Sequence, residues 1–322
     1  MIICISANPA IDRRIRLRNL VPGGVNRAYS AISFAGGKAA HVAMAAHALG
    51  EKVVWIGFVG GATGNELERQ LTEFGIAALS IPTMASTRTN DEIVADDGSI
   101  TEILEPGGPI TAAEAEEFYA IARKQFTETC TGFQVVISGS LPPGAPTEFY
   151  SNIISLAREF HARVIVDTSG DAFLKSLEHS PDLIKPNREE TESAVGFEIG
   201  GTARTLSAIR QLQNLGAREA AISLGADGLV WSDGEAAFVV RPPKVNVIST
   251  VGCGDAAVAG FAVGAQRNLE PSEIVRLAAA CGAANCIAEL PGQIRLDDVR
   301  HLIPQVSVEK ITIAPSRIGS AF

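Results

Sequence analysis

The chain has 322 residues, of which 46% are hydrophobic and 20% charged, a balance that excludes an intrinsically disordered protein. Its length calls for one large α/β domain with an insertion, or for two domains. With 27 basic and 36 acidic side chains the formal net charge is −9, which argues against a protein whose main task is gripping nucleic-acid phosphates.

The amino terminus, MIICISANPAID, has no basic n-region and reaches Asn8 and Pro9 too soon for the core of a signal peptide. The longest strongly apolar run, from Ala256 to Ala265, falls far short of the roughly 18 residues that argue for a membrane span. Cys4, Cys130, Cys253, Cys281 and Cys286 are odd in number and contain no CxxC pair, so they read as free thiols in a reducing compartment. The histidines do not cluster with cysteines or acids at metal-ligand spacing. The expectation is a soluble cytoplasmic protein with neither nucleic acid nor membrane as partner.

Residues 11–34 alternate like strands, and so do residues 87–105, where Asp96-Asp97-Gly98 marks a turn between two short runs. Far apart in sequence, the two stretches can pair into a small sheet beside a larger one. Laid over a binding edge, it would be a lid that keeps water from reactive phosphates. Between them, Gly36-Gly37-Lys38-Ala39-Ala40-His41 resembles a phosphate loop but lacks the GxxxxGK[ST] spacing of a Walker A motif. Its glycines allow close backbone approach, and Lys38 offers a mobile cation. The glycines at 57, 60, 61 and 64 permit tight packing or simply punctuate turns.

From about residue 111 short apolar runs alternate with helical patterns. Thr111 and Glu114 form a capping box that opens one helix. The runs at 135–137, 164–166, 183–184 and 220–222 are separated by helix-periodic segments such as 147–160 and 204–215. This predicts βαβ units around a parallel sheet. Each run ends in a polar loop, around Ser138, Asp167, Lys185-Pro186-Asn187 and Ser223-Leu224-Gly225. Carboxyl ends of parallel strands share one edge, so these loops predict one continuous site. Asn187 and Glu190, at i and i+3, suit a hydrated Mg²⁺, which prefers oxygen ligands and keeps several waters.

The segment from Ser249 to Gly260 is the most informative. Gly252 and Gly254 flank Cys253, and Asp255 follows. Glycines let several backbone N–H groups converge, and a helix start adds partial positive charge, which makes an anion site. A carboxylate beside such a site suits a base that takes a proton from a hydroxyl attacking phosphorus. The string also matches GxGxxA, but helical stretches at 255–267 and 271–289 follow it. No second strand completes a dinucleotide-binding unit.

Taken together, these segments resemble the ribokinase-like carbohydrate kinases of the phosphofructokinase B branch, which includes kinases of fructose-6-phosphate, fructose-1-phosphate and tagatose-6-phosphate. The resemblance covers nearly the whole chain: Asn8 to Asp12, Gly36-Gly37-Lys38, Gly60 to Gly64, Ser138 to Gly144, Lys185-Pro186-Asn187 with Glu190, Ser223 to Gly225, and Val251 to Asp255. It implies a three-layer α/β/α fold, a mostly parallel sheet and a small β-sheet lid, in one domain over residues 1–322. It also implies ATP-dependent, Mg²⁺-requiring phosphorylation of a ketohexose phosphate, and a homodimer paired through the lid. Asp255 would be the catalytic base, with Gly252, Cys253 and Gly254 as the anion hole. Lys185, Asn187, Ser223, Gly225 and Gly228 would hold the nucleotide, and Asn187 and Glu190 the metal. Asp12, Gly36, Gly37, Lys38, His41, Arg88 and Ser138 would hold the sugar or its phosphate. Three other readings remain open: a kinase of a free sugar, sugar derivative or nucleoside; a catalytically silent sugar-binding regulator; and a nicotinamide oxidoreductase.

The chain departs from the family's GGKGxN loop, with Ala39 for the last glycine and His41 for the asparagine. An unperturbed imidazole there would titrate near 6.5. Cys253 replaces the usual alanine, although only its backbone N–H is needed. Thr101-Glu102 stands where fructose-6-phosphate kinases of the branch carry an arginine.

Overall fold

All of β1 (Ile2–Ser6) is buried, as a strand covered by helices on both faces must be. Its alternation divides the protein in two. Ile2 and Cys4 point into one apolar core, Ile3 and Ile5 into another. The computed structural model describes residues 1–312.

The remaining strands are β2 (Ala10–Leu17), β3 (Ala28–Gly36), β4 (Val53–Val59), β5 (Ala77–Pro82), β6 (Arg88–Ala95), β7 (Ile100–Leu104), β8 (Gln134–Ser138), β9 (Arg163–Asp167), β10 (Leu183–Ile184), β11 (Glu219–Ser223), β12 (Leu229–Ser232), β13 (Ala237–Arg241) and β14 (Ser307–Ile311). The helices are α1 (Lys38–Ala48), α2 (Gly61–Glu73), α3 (Ala112–Thr129), α4 (Phe149–Glu159), α5 (Gly170–Leu177), α6 (Arg188–Val195), α7 (Gly201–Asn214), α8 (Cys253–Gln266), α9 (Pro271–Cys286) and α10 (Leu296–Leu302).

The large sheet has ten strands in the order β14-β13-β12-β11-β10-β9-β8-β1-β4-β5. From β5 across to β11 the pairings are parallel, and β12, β13 and β14 add an antiparallel edge. That edge carries no βα rhythm in the sequence, so periodicity alone does not predict it. One face is covered by α1, α8, α9 and α10, the other by α3, α4, α5 and α7, which gives the three layers. The small residues of α8 have a packing reason. A Cβ on Gly260 would stand 2.5 Å from the Ala278 Cα, so α8 and α9 meet almost backbone to backbone.

The smaller sheet has the order β3-β2-β6-β7, with β2 and β6 parallel and the outer pairs antiparallel. Its central strands β2 and β6 carry a buried ion pair, whose two members are in turn bonded to the main body. Arg14 Nε lies 2.6 Å from Glu92 Oε2, and Arg14 Nη2 donates to Glu92 Oε1 at 3.1 Å. Ser249 Oγ donates to the same Glu92 at 3.1 Å, and Arg14 Nη1 donates to the Glu289 carbonyl. The pair therefore grips the loop just before the Gly252 turn.

Candidate active site

The polar ends of β8, β9, β10 and β11 lie side by side, because these strands are neighbours in the sheet. The start of α8 faces them. Gly252 caps that helix at φ 78, a left-handed conformation, and a Cβ there would lie 2.8 Å from Pro291. Any other residue would be strained and crowded. The N–H groups of the first turn and the helix dipole make this end electropositive, with the Cys253 N–H also donating to the Thr250 carbonyl at 3.3 Å. Lys185 Nζ lies 3.3 Å from where a Gly254 Cβ would stand, so a second positive group approaches the same point. Two positive features repel unless an anion sits between them, which is the requirement of a transferring phosphoryl group.

Asp167, at the end of β9, holds the cations of this cluster in place. Its carboxylate is 2% exposed and lies 3.5 Å from both Lys185 Nζ and Lys38 Nζ, yet neither oxygen has a hydrogen-bond partner. Burial would raise its pKa, but Lys185 and then Lys38 outweigh burial and hold it below the usual range. Lys38 is raised, chiefly by Asp167 and against burial. Lys38 Nζ is also 3.8 Å from Glu190 Oε1. Sequence reasoning singled out the loop at Asp167 but not this residue. The signal was there: an acid closing a buried strand beside a Lys-Pro-Asn segment.

Asn187 and Glu190 form a reciprocal cap at the start of α6: Asn187 Oδ1 accepts from the Glu190 N–H and Glu190 Oε2 from the Asn187 N–H, both at 2.8 Å. The i, i+3 spacing thus has a structural use. It leaves Glu190 Oε1 outside the cap, turned toward Lys38.

His41 lies where two carboxylates meet. Its Nδ1 is 2.9 Å from Asp255 Oδ2, and its Nε2 is 3.0 Å from Asp12 Oδ2, an ion-pair contact without hydrogen-bond alignment. All three residues are buried, with His41 3%, Asp12 8% and Asp255 6% exposed. Burial favours the neutral imidazole, but Asp12 and Asp255 outweigh it and raise the His41 pKa to about 10. Near neutral pH His41 is therefore an imidazolium, and the unperturbed titration near 6.5 does not apply. Asp12 is held low, since His41, the Asn90 amide and the Gly37 N–H together overcome its burial. Asn90 Nδ2 donates to Asp12 Oδ1 at 2.9 Å. Gly36 is a glycine for this carboxylate: a Cβ would sit 2.2 Å from the Asp12 Cγ.

A raised histidine pKa stabilises the fold only while the imidazole is charged. That contribution is complete below the unfolded value near 6.5 and disappears as pH rises through about 10. Denaturation midpoints measured from pH 6 to 10 should therefore fall more steeply in the wild type than in His41→Asn. Parallel slopes would mean that His41 is neutral.

The other residues scatter around this centre. Ser138 is buried, with no hydrogen-bond partner for its hydroxyl. Arg88 donates to the Glu105 carbonyl at 2.7 Å and the Asn8 carbonyl at 3.1 Å, its Nε is unpartnered, and burial lowers its pKa. Ser223 is drawn against the Lys185-Pro186-Asn187 segment by its N–H to the Pro186 carbonyl at 3.1 Å. Gly225 opens a short 3₁₀ turn with open space around its Cα. Gly228 has a packing role instead, because a Cβ would lie 1.9 Å from the Val240 carbonyl oxygen. Among the described residues no helix is long and apolar enough to cross a membrane.

An electropositive helix start with a carboxylate in its first turn, facing paired lysines at the carboxyl edge of a parallel sheet, defines a phosphotransferase site. The profile of the pfkB family carbohydrate kinases matches residues 3–293, and the chain belongs to that family. The 1-phosphofructokinase of Bacillus subtilis is 30% identical over 313 residues, spanning 97% of this chain and 100% of that protein. A tagatose-6-phosphate kinase of Staphylococcus epidermidis is 31% identical over 314 residues, with 97% and 100% covered. Phosphofructokinase-2 from Escherichia coli, solved in complex with fructose-6-phosphate, superposes with a TM-score of 0.86 at 29% identity, covering 94% of this chain and 98% of that one.

Proposed function

We propose that this protein phosphorylates a ketohexose phosphate with ATP, making a bisphosphate. The observation that carries this reading is the convergence of Asp255, the α8 start, Lys185 and Lys38 on one point. Asp255 accepts the proton of the sugar hydroxyl as its oxygen attacks the γ-phosphorus in line. The N–H groups at Gly252, Cys253 and Gly254 and the Lys185 ammonium stabilise the charge that spreads over the phosphoryl oxygens. Lys38, held by Asp167, is within reach of the same oxygens. Asp12 and Asn90 receive the sugar hydroxyls, and Ser223, Gly225 and Asn187 border the nucleotide. The kinase and sugar-phosphate names carried by relatives at 30–31% identity support the substrate class.

Glu190 Oε1 fits a hydrated Mg²⁺, an ion that keeps several waters and takes one or two carboxylates plus substrate phosphates. Asn187 fits less well, since its amide oxygen already accepts the Glu190 N–H. Held by Glu190, the ion would supply positive charge that offsets the negative charge of the phosphates. The smaller sheet, as a lid, would exclude water from the site and pair subunits as a dimer, in a cytoplasmic enzyme. Its exposed Ile32, Ile103 and Leu104 support the pairing.

The test is ADP release from ATP and Mg²⁺ with fructose-6-phosphate, fructose-1-phosphate, tagatose-6-phosphate and their free sugars. Turnover of free sugars alone would overturn the reading. Arg88 sharpens it. Its hydrogen bonds go to neutral carbonyls, so a sugar phosphate is a natural counter-charge. Arg88→Ala should raise KM for the phosphorylated sugar about 10–100-fold, the scale of a hydrogen bond to a charged group. An equal loss with a free sugar would remove Arg88 from phosphate recognition.

A further inference from the structure

Two cysteines 33 positions apart meet at the anion hole. Cys253, the first residue of α8, has its Sγ 2.9 Å from the Sγ of Cys286, the last residue of α9. Both are free and partly exposed. We propose that Cys253 and Cys286 are an oxidation site, a dithiol that hydrogen peroxide closes into a disulfide, switching phosphoryl transfer off.

Either sulfur can give its proton to the other in this contact, so one of the two attacks as the thiolate. That thiolate attacks one peroxide oxygen, the O–O bond breaks and hydroxide leaves, which gives a sulfenic acid. The other thiol then attacks the sulfenic sulfur, the S–O bond breaks, and the oxygen departs as water. Overall two thiols lose two electrons and two protons, and one peroxide becomes two waters. The Asn285 side-chain N–H, 3.5 Å from the Cys253 Sγ, stabilises negative charge on that sulfur. The sulfurs must close from 2.9 Å to about 2.05 Å, a small displacement.

That displacement falls on catalytic backbone. The Cys286 carbonyl accepts the N–H of Ile248 at 2.7 Å and of Ser249 at 3.3 Å, so the end of α9 holds the loop that leads into the Gly252 turn. One turn earlier, a Cβ on Gly282 would lie 3.2 Å from the Cys253 carbonyl oxygen, so the two helices are already packed tightly here. A covalent tie pulls the backbone of the Gly252–Gly254 turn, just before Asp255, out of register with the phosphoryl group. Misplacing such donors by about an ångström costs on the order of 10²-fold in rate.

The loss of turnover rests on the kinase reading of this site, whereas formation of the bond does not. The test treats the full-length protein with hydrogen peroxide, maps the cross-linked peptide by mass spectrometry, and measures kcat and ATP affinity before and after. The expected result is a Cys253–Cys286 cross-link, a kcat at least tenfold lower, and recovery with dithiothreitol. Cys286→Ser should keep its basal kcat and resist peroxide. The proposal is overturned if no such cross-link forms, if it forms with kcat unchanged, or if Cys286→Ser loses activity equally. If no sugar is turned over at all, the kinase reading fails. The cross-link map and the change in ATP affinity then decide the switch on their own: unchanged affinity in the cross-linked protein overturns it.

Discussion

Asp255→Asn is expected to lower kcat by about 10²–10⁴-fold while leaving ATP binding nearly intact, the scale of a positioned base. The amide keeps the shape of the carboxylate but cannot take the proton of the sugar hydroxyl. It also removes one of the two charges that hold the His41 imidazolium. A second readout follows: the His41 pKa, followed by NMR, should fall from about 10 in the variant. Near-normal turnover in a folded Asp255→Asn protein would take Asp255 out of the mechanism. An unmoved His41 titration would show that the imidazole does not feel this carboxylate.

The second large effect concerns stability. Glu92→Ala leaves the Arg14 guanidinium buried without its counter-charge, since the two side chains are 2% and 6% exposed. Breaking a buried pair by removing one partner costs about 3–5 kcal/mol. The denaturation midpoint in guanidinium should fall accordingly, with little change in slope. Arg14→Met combined with Glu92→Leu should recover much of that loss, because it removes both charges together. Recovery should be incomplete, since Ser249 and the Glu289 carbonyl lose partners. A Glu92→Ala protein as stable as the wild type would mean that the buried Arg14 charge does not depend on this partner.

Local chemistry made much of this protein legible in its sequence. The buried runs of β8, β9, β10 and β11 and the polar loops after them follow from period and position, and so does the Thr111 capping box, whose two halves both form. The glycine turn before Asp255 was readable because positive φ and close approach leave little choice of residue. Relations between distant segments were not readable. His41 and Asp255 lie 214 positions apart, and nothing local says that an imidazole joins the base to Asp12. Arg14 with Glu92 depends on the register in which β2 and β6 pair, and Cys253 with Cys286 on how α8 and α9 pack. Asn187 and Glu190 had a legible second use, since Asn-x-x-Glu at a helix start is a cap before it is anything else. The antiparallel edge of β12, β13 and β14 escaped because its strands are short and follow one another without intervening helical periodicity, except for the long return to β14.

The most direct measurement of the central claim is phosphorus NMR of the product formed from ATP, Mg²⁺ and each candidate ketohexose phosphate. The account predicts that one of them yields a bisphosphate with two phosphomonoester signals, in step with ADP and without inorganic phosphate. Accumulation of inorganic phosphate with every sugar phosphate, or a single phosphomonoester formed only from free sugars, would contradict it.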